Sequence, residues 1–185
     1  SISPPQAGET PGKIEVLEFF SYGCPHCRDF NPLIERWAAR LPKDVSLRRV
    51  PITFGRAAWA NLSRLFYALE ASGQLARLDQ SAFDALHVHK TDLFTEQAVL
   101  KWIAGKGVNA NTFRDTLNSF AVETRLARAE ALARNYKVNS VPMLTVDGRF
   151  TVISAGAKTY EDRLRIADAL IERARQSKRG SRKTA

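Results

Sequence analysis

The sequence predicts an α/β fold split by an all-helical insertion, and three stretches carry that prediction. A buried strand, a helix and a second strand follow one another between residues 14 and 50. No strand pattern occurs between about residue 56 and residue 136. A strand–turn–strand unit and a final helix then close the chain. The 185 residues suffice for one domain with a real core, or one domain carrying an insertion. With 44% hydrophobic and 25% charged residues the composition is that of an ordinary globular protein. No apolar run approaches the length of a membrane-spanning helix.

Taken in order, Ser1 to Gly12 reads as a flexible arm, because Pro4, Pro5 and Pro11 would break any helix and little of it is apolar. Ile14 to Phe20 is apolar, rich in β-branched and aromatic residues, and reads as a buried strand. Ser21-Tyr22-Gly23 is a short turn into Cys24-Pro25-His26-Cys27. Arg28 to Leu41 reads as a helix, with Phe30, Leu33, Ile34, Trp37 and Leu41 at three- and four-residue steps. Pro42-Lys43-Asp44 turns the chain into a second strand, Val45 to Val50. Two strands joined by a helix make a right-handed unit with parallel strands. Its ligand end is the C-terminal end of the strands, where the cysteines stand.

The frame is therefore residues 13–55 and 137–176, and the helical insertion is 56–136. Within the insertion Trp59, Leu62, Phe66 and Leu69 form one apolar stripe. Leu75, Leu78, Phe83 and Leu86 continue it, with a break expected near Ser81. Thr95 is a helix N-cap ahead of Ala98, Val99, Trp102 and Ile103. Asn111 to Leu117 and Phe120 to Tyr136 complete the block. His87 and His89 read as an exposed helix end, since no cysteine or third histidine is near enough in sequence to make a metal site. After the insertion, Met143 to Val146 and Arg149 to Val152 flank Asp147-Gly148, a strong hairpin signal. Thr159 and Asp162 open the last helix as a capping pair, and Leu164, Ala167, Ala169, Leu170 and Ile171 lay it on the sheet. Helical patterning fades after Gln176, so 177–185 reads as a basic disordered tail.

Cys24 and Cys27 are the only cysteines, and they fall at a helix N-terminus. Cys24 there faces unsatisfied backbone N–H groups and the positive end of the helix dipole, which favour the reactive thiolate. Pro25 suits the first turn, where its missing N–H costs nothing. Positions i and i+3 share a helix face, so the two sulfurs can bond without refolding. His26 can add a donor to the Cys24 anion. The expected chemistry is thiol–disulfide exchange through a mixed disulfide. A structural bridge is a poor alternative, because a loop this short constrains the unfolded chain very little. A metal centre normally needs about four ligands, and there is no second cysteine pair.

Glu18 shares a strand face with Val16 and Phe20 and lies just below the cysteines. A buried lone carboxylate takes up a proton or a partner. It either pairs with Arg48 or Arg49 on the next strand, or relays protons for Cys27. The net charge is +9. Much of it is Arg173, Arg175, Lys178, Arg179, Arg182 and Lys183, which read as a solvated end. No base-stacking motif accompanies the charge, which argues against nucleic acid.

The run Glu18-Phe19-Phe20-Ser21-Tyr22-Gly23-Cys24-Pro25-His26-Cys27 resembles the active-site segment of the DsbA family, the bacterial periplasmic thiol:disulfide oxidoreductases. The Pro-His dipeptide between the cysteines is characteristic of that family. Val141-Pro142, followed by a strand, resembles its cis-proline loop, which faces the cysteines. The similarity runs from about Gly12 to Gln176. It implies a thioredoxin-like fold with an inserted helical domain. It implies that Cys24 is the exposed cysteine that joins substrate, that Cys27 is its buried partner, and that Pro25 and His26 tune the pair. Val141 and Pro142 would hold an extended polypeptide by strand addition. Glu18 matches a family glutamate with a proton-relay role, and Arg49 stands where the family often has lysine. Arginine does not readily give up a proton. The resemblance further implies a monomer with no bound cofactor or metal, acting in the periplasm on reduced exported polypeptides. A quinone-linked membrane oxidase of the DsbB type would reoxidise it, and a signal peptide would have been removed. A disulfide isomerase or reductase with the same site is the nearest alternative. Such isomerases usually carry an N-terminal dimerisation domain, for which the 13 residues ahead of the first strand leave no room. A thiol metal carrier or redox-inert binding module is the alternative from another class.

Overall fold

The computed structural model describes residues 1–152 and 156–183. Strand β1 (Ile14–Phe20) leads into helix α1 (Pro25–Ala38) and strand β2 (Val45–Pro51). Five helices follow: α2 (Ala57–Ala71), α3 (Leu75–His87), α4 (Glu96–Ala104), α5 (Ala110–Leu117) and α6 (Phe120–Asn135). Strands β3 (Met143–Val146) and β4 (Phe150–Thr151) and helix α7 (Tyr160–Lys183) complete the fold. The sheet order is β2-β1-β3-β4. β1 runs parallel to β2, with Glu18 opposite Arg49, and antiparallel to β3, with Phe19 opposite Met143.

Every residue of β1 is buried, as expected of a strand covered on both faces. Ile14 and Val16 pack in a cluster with Phe30, Ile34 and Trp37 of α1 and with Leu164, Ala167 and Ile171 of α7. Leu17 and Phe19 belong to the second cluster, shared with the insertion. Burying side chains of this size stabilises by roughly 1.5–3 kcal/mol each. Thr95, Asn109 and Ser119 cap α4, α5 and α6 by accepting from the backbone N–H three residues on. Caps of this kind are worth about 1 kcal/mol each. Thr159 and Asp162 form the reciprocal pair expected at the start of α7.

Four expectations need correction. Helix α3 runs unbroken through Ser81, and the chain turns instead at Gly73, whose φ is +72°. Serine costs a helix interior only a few tenths of a kcal/mol, too little to break one. The arm is docked: the Ile2 N–H donates to Arg149 O at 2.7 Å and the Gln6 N–H to Gly148 O at 2.9 Å. A Cβ on Gly148 would lie 1.9 Å from Gln6 O, so only glycine admits this approach. Ala169 is exposed, and Ala174 takes a core position on α7. The basic tail is helical through Lys183. Arg175 reaches Asp44, and Lys178 reaches Asp147 and the Lys13 carbonyl, while cations suit a helix C-terminus. Thr184 and Ala185 lie outside the described residues.

Candidate active site

The cysteines sit where β1 ends and α1 begins. Cys24 is the N-cap of α1, with φ −96° and ψ 115°, and Pro25 takes the first helical position. The Cys24 sulfur accepts the Cys27 backbone N–H at 3.2 Å, as a capping oxygen would. Both cysteines are free thiols. Both are also buried, which corrects the expectation of an exposed Cys24: it keeps 5% of its surface and Cys27 none. The Val141 carbonyl lies across the site, 3.7 Å from Cys24 Sγ. Val141–Pro142 is a cis peptide bond.

The two thiols ionise very differently. A hydrogen bond from the Cys27 thiol is the main cause that draws the Cys24 pKa down from 9.0 to about 7. Burial opposes it, and the backbone N–H groups of Cys27 and His26 assist it. Burial drives Cys27 the other way, reinforced by the hydrogen bond it donates and the charge on Cys24. His26 acts on Cys24 through its backbone. Its ring is exposed, and its Nδ1 lies 3.1 Å from the Tyr160 hydroxyl. Beside the Val141–Pro142 loop is a cleft of about 300 Å³, lined by Phe30, Pro142, Met143, Lys137 and Arg163 among others.

Glu18 is fully buried and accepts from Arg49 Nε at 2.9 Å. Of the two arginines on β2, Arg49 is its partner, while Arg48 reaches Glu9 and Glu15. Burial raises the Glu18 pKa above 4.5 against the lowering effect of Arg49. The pair belongs to a larger network that sequence reasoning missed. Arg49 Nη1 also donates to Asp79 at 2.7 Å, and the Tyr22 hydroxyl donates to Asp79 at 2.6 Å. Asn31 of α1 donates to Asp79 at 3.1 Å. The Arg49 guanidinium lies 4.2 Å from the centre of the Phe20 ring. One signal for Asp79 exists in the sequence: it interrupts the apolar stripe of Leu75, Leu78, Ala82 and Phe83 on the buried face of α3.

His87 is half-buried, not an exposed helix end, and its Nε2 lies 2.7 Å from the Tyr22 carbonyl. A carbonyl only accepts, so Nε2 carries the proton. His89 is exposed as expected. Trp59 of α2 closes on the same turn: a Cβ on Gly23 would lie 2.6 Å from Trp59 Nε1. Among the described residues no group of three or more His, Cys, Asp or Glu side chains is placed to hold a metal ion. No helix there is long and apolar enough to cross a membrane.

A helix-capping cysteine with a lowered pKa and a buried partner three residues on, carried on a strand–helix–strand frame, defines a thiol:disulfide oxidoreductase with a thioredoxin-like fold. The chain belongs to the DsbA family, since the family model described as a DSBA-like thioredoxin domain matches residues 15–165. It is 40% identical over 167 residues to the thiol:disulfide interchange protein DsbA of Azotobacter vinelandii, covering 90% of this chain and 78% of the relative. It is 40% identical over 176 residues to the Pseudomonas aeruginosa protein of the same description, covering 94% and 82%. The crystal structure of Pseudomonas aeruginosa DsbA superposes with a TM-score of 0.91 at 38% identity, covering 96% of this chain and 92% of that one. That of the Xylella fastidiosa oxidoreductase DsbA gives 0.86 at 33% identity, covering 95% and 94%.

Proposed function

We propose that the Cys24–Cys27 disulfide is donated to reduced, extended polypeptides exported to the periplasm. A substrate thiolate attacks Cys24 Sγ. The bond to Cys27 breaks, a Cys24–substrate disulfide forms, and Cys27 leaves as a thiolate that takes up a proton. A second substrate thiolate then attacks the substrate sulfur of the mixed disulfide and releases Cys24 as a thiolate. The substrate loses two electrons and the protein gains them. The single observation that carries this reading is the capping geometry of Cys24. Its sulfur accepts from Cys27, and a stabilised thiolate is a good leaving group.

Glu18 is the proton source for Cys27 in this reading. It is supported by its complete burial, its raised pKa and an Oε1 with no hydrogen-bond partner among the described residues. Pro25 sets the helix start and His26 supplies a backbone N–H. Val141 and Pro142 offer the edge on which an extended substrate lies, supported by the Val141 carbonyl beside Cys24 and the adjoining cleft. The protein acts as a monomer and needs no bound cofactor or metal. A quinone-linked membrane oxidase of the DsbB type returns it to the disulfide form.

A redox titration of the pair against glutathione tests the reading. Known members of the superfamily span about −120 mV for DsbA to about −270 mV for thioredoxin. A value near the first is expected. A value near the second would make the protein a reductase.

A further inference from the structure

Two buried carboxyl groups, Glu18 and Asp79, meet one guanidinium beneath the cysteines, with the exposed Glu35 at the edge of the cluster. Glu18 is faced by Arg49 from β2, Asp79 from α3, Glu35 from α1, Tyr22 from the turn, and both cysteines. Its opposite neighbour on β3 is Leu144, which carries no charge. Arg49 is shared: Nε serves Glu18 and Nη1 serves Asp79. One cation cannot neutralise two buried carboxylates, so one of the two is better off protonated.

The hydrogen bonds decide which. Asp79 accepts from three donors, Tyr22 Oη, Arg49 Nη1 and Asn31 Nδ2, at 2.6, 2.7 and 3.1 Å. Donors aimed at a carboxylate favour its charged form. Glu18 accepts from one, and its Oε1 is buried with no partner among the described residues. We propose that Asp79, a residue of the helical insertion, is a positioning residue for the redox pair: it claims Arg49 and keeps the negative charge, so that Glu18 keeps the proton. This rests on the reading of Glu18 as proton source for Cys27. When Cys27 leaves as a thiolate, the O–H bond of Glu18 breaks, the proton joins Cys27 Sγ, and the new Glu18 carboxylate is held by Arg49. Solvent returns the proton afterwards. The insertion thus sets the acidity of a group in the thioredoxin-like frame.

Infrared spectroscopy of the oxidised protein reads the protonated carboxyl directly. A buried carboxylic acid band at neutral pH that is lost in Glu18→Gln is expected. A band that survives Glu18→Gln, or no such band in the parent, overturns the assignment without depending on any change at Asp79. In Asp79→Asn, Glu18 has Arg49 to itself, and the pH at which its band is half lost should fall by roughly one unit or more. Tyr22→Phe, which removes one donor from Asp79 and no charge, should move it the same way by less. It serves if Asp79→Asn does not fold. A half-loss that neither variant moves removes Asp79 from the role. Reaction with a reduced peptide separates the two ideas: if the pH profile of Cys27 release is unchanged in Glu18→Gln, the proton-source reading fails while the band still reports which carboxyl is protonated.

Discussion

The Cys27 backbone N–H points at Cys24 Sγ across 3.2 Å, and the Cys27 thiol donates to the same sulfur. One cysteine thus supplies the other with two donors. Separation by three residues at a helix start is what allows both at once.

The first prediction concerns pH and the reduced protein. The Cys24 thiol has a folded pKa of about 7 against an ordinary 9.0. Reduced protein should therefore gain stability as pH rises from about 7 to about 9, and lose it as pH falls through 7. The gain is on the order of 1–2 kcal/mol once solvent screening is allowed for. Above that window ionisation of Cys27 in the unfolded chain works the other way. Urea unfolding at two pH values measures the gain, and Cys24→Ser should abolish it.

Glu18 has the opposite sign. Burial holds its folded pKa above 4.5, so its contribution is fully present below the ordinary value and is lost as pH rises. Glu18→Gln should be more stable than the parent at neutral pH, with the difference vanishing below about 4.5. A less stable variant at neutral pH would mean that the Arg49 pair outweighs the burial of charge.

Gly23 is packed against the insertion. Gly23→Ala places a methyl 2.6 Å from Trp59 Nε1 and 3.3 Å from Leu62 Cδ1. Overpacking of this kind costs about 1–3 kcal/mol, and Trp59 fluorescence should shift with it. Trimming Trp59 to Leu in the same chain should recover part of the loss; no recovery would point to backbone strain at the turn.

His87 holds the same turn from α3. His87→Ala leaves the Tyr22 carbonyl without its donor, at a cost of about 1 kcal/mol. Amide hydrogen exchange at Gly23 and Cys24 should quicken, since both N–H groups bond within this turn, to Ser21 Oγ and Ser21 O. Unchanged exchange would show that Trp59 alone holds the turn.

The strand, the helix-capping cysteines and the hairpin were legible because each is local: alternation, a cap and two turn residues decide them. Asp147 and Gly148 both adopt positive φ, as the Asp-Gly pair implies. Glu18 was placed correctly as buried because a two-sided apolar strand leaves it nowhere else to go. Asp79 is missed and His87 is taken for an exposed helix end because their partners, Arg49 and Tyr22, are distant in sequence and their own helix shows only a polar gap in a stripe. The tail was misread for a related reason. Its residues have no apolar period, and the ion pairs that hold it, with Asp44 and Asp147, come from other elements.

The sheet order gives the protein a schedule. Val141 lies 117 residues beyond Cys24, and β3 is the antiparallel neighbour of β1. A chain made from its N-terminus forms the cysteine cap early, from local contacts, and must then build five helices before that neighbour arrives. Until then β1 is an open edge, and a reactive sulfur stands at its end with no ledge opposite. The reactive sulfur is thus built from neighbouring residues, and the ledge opposite it from a segment 117 residues away.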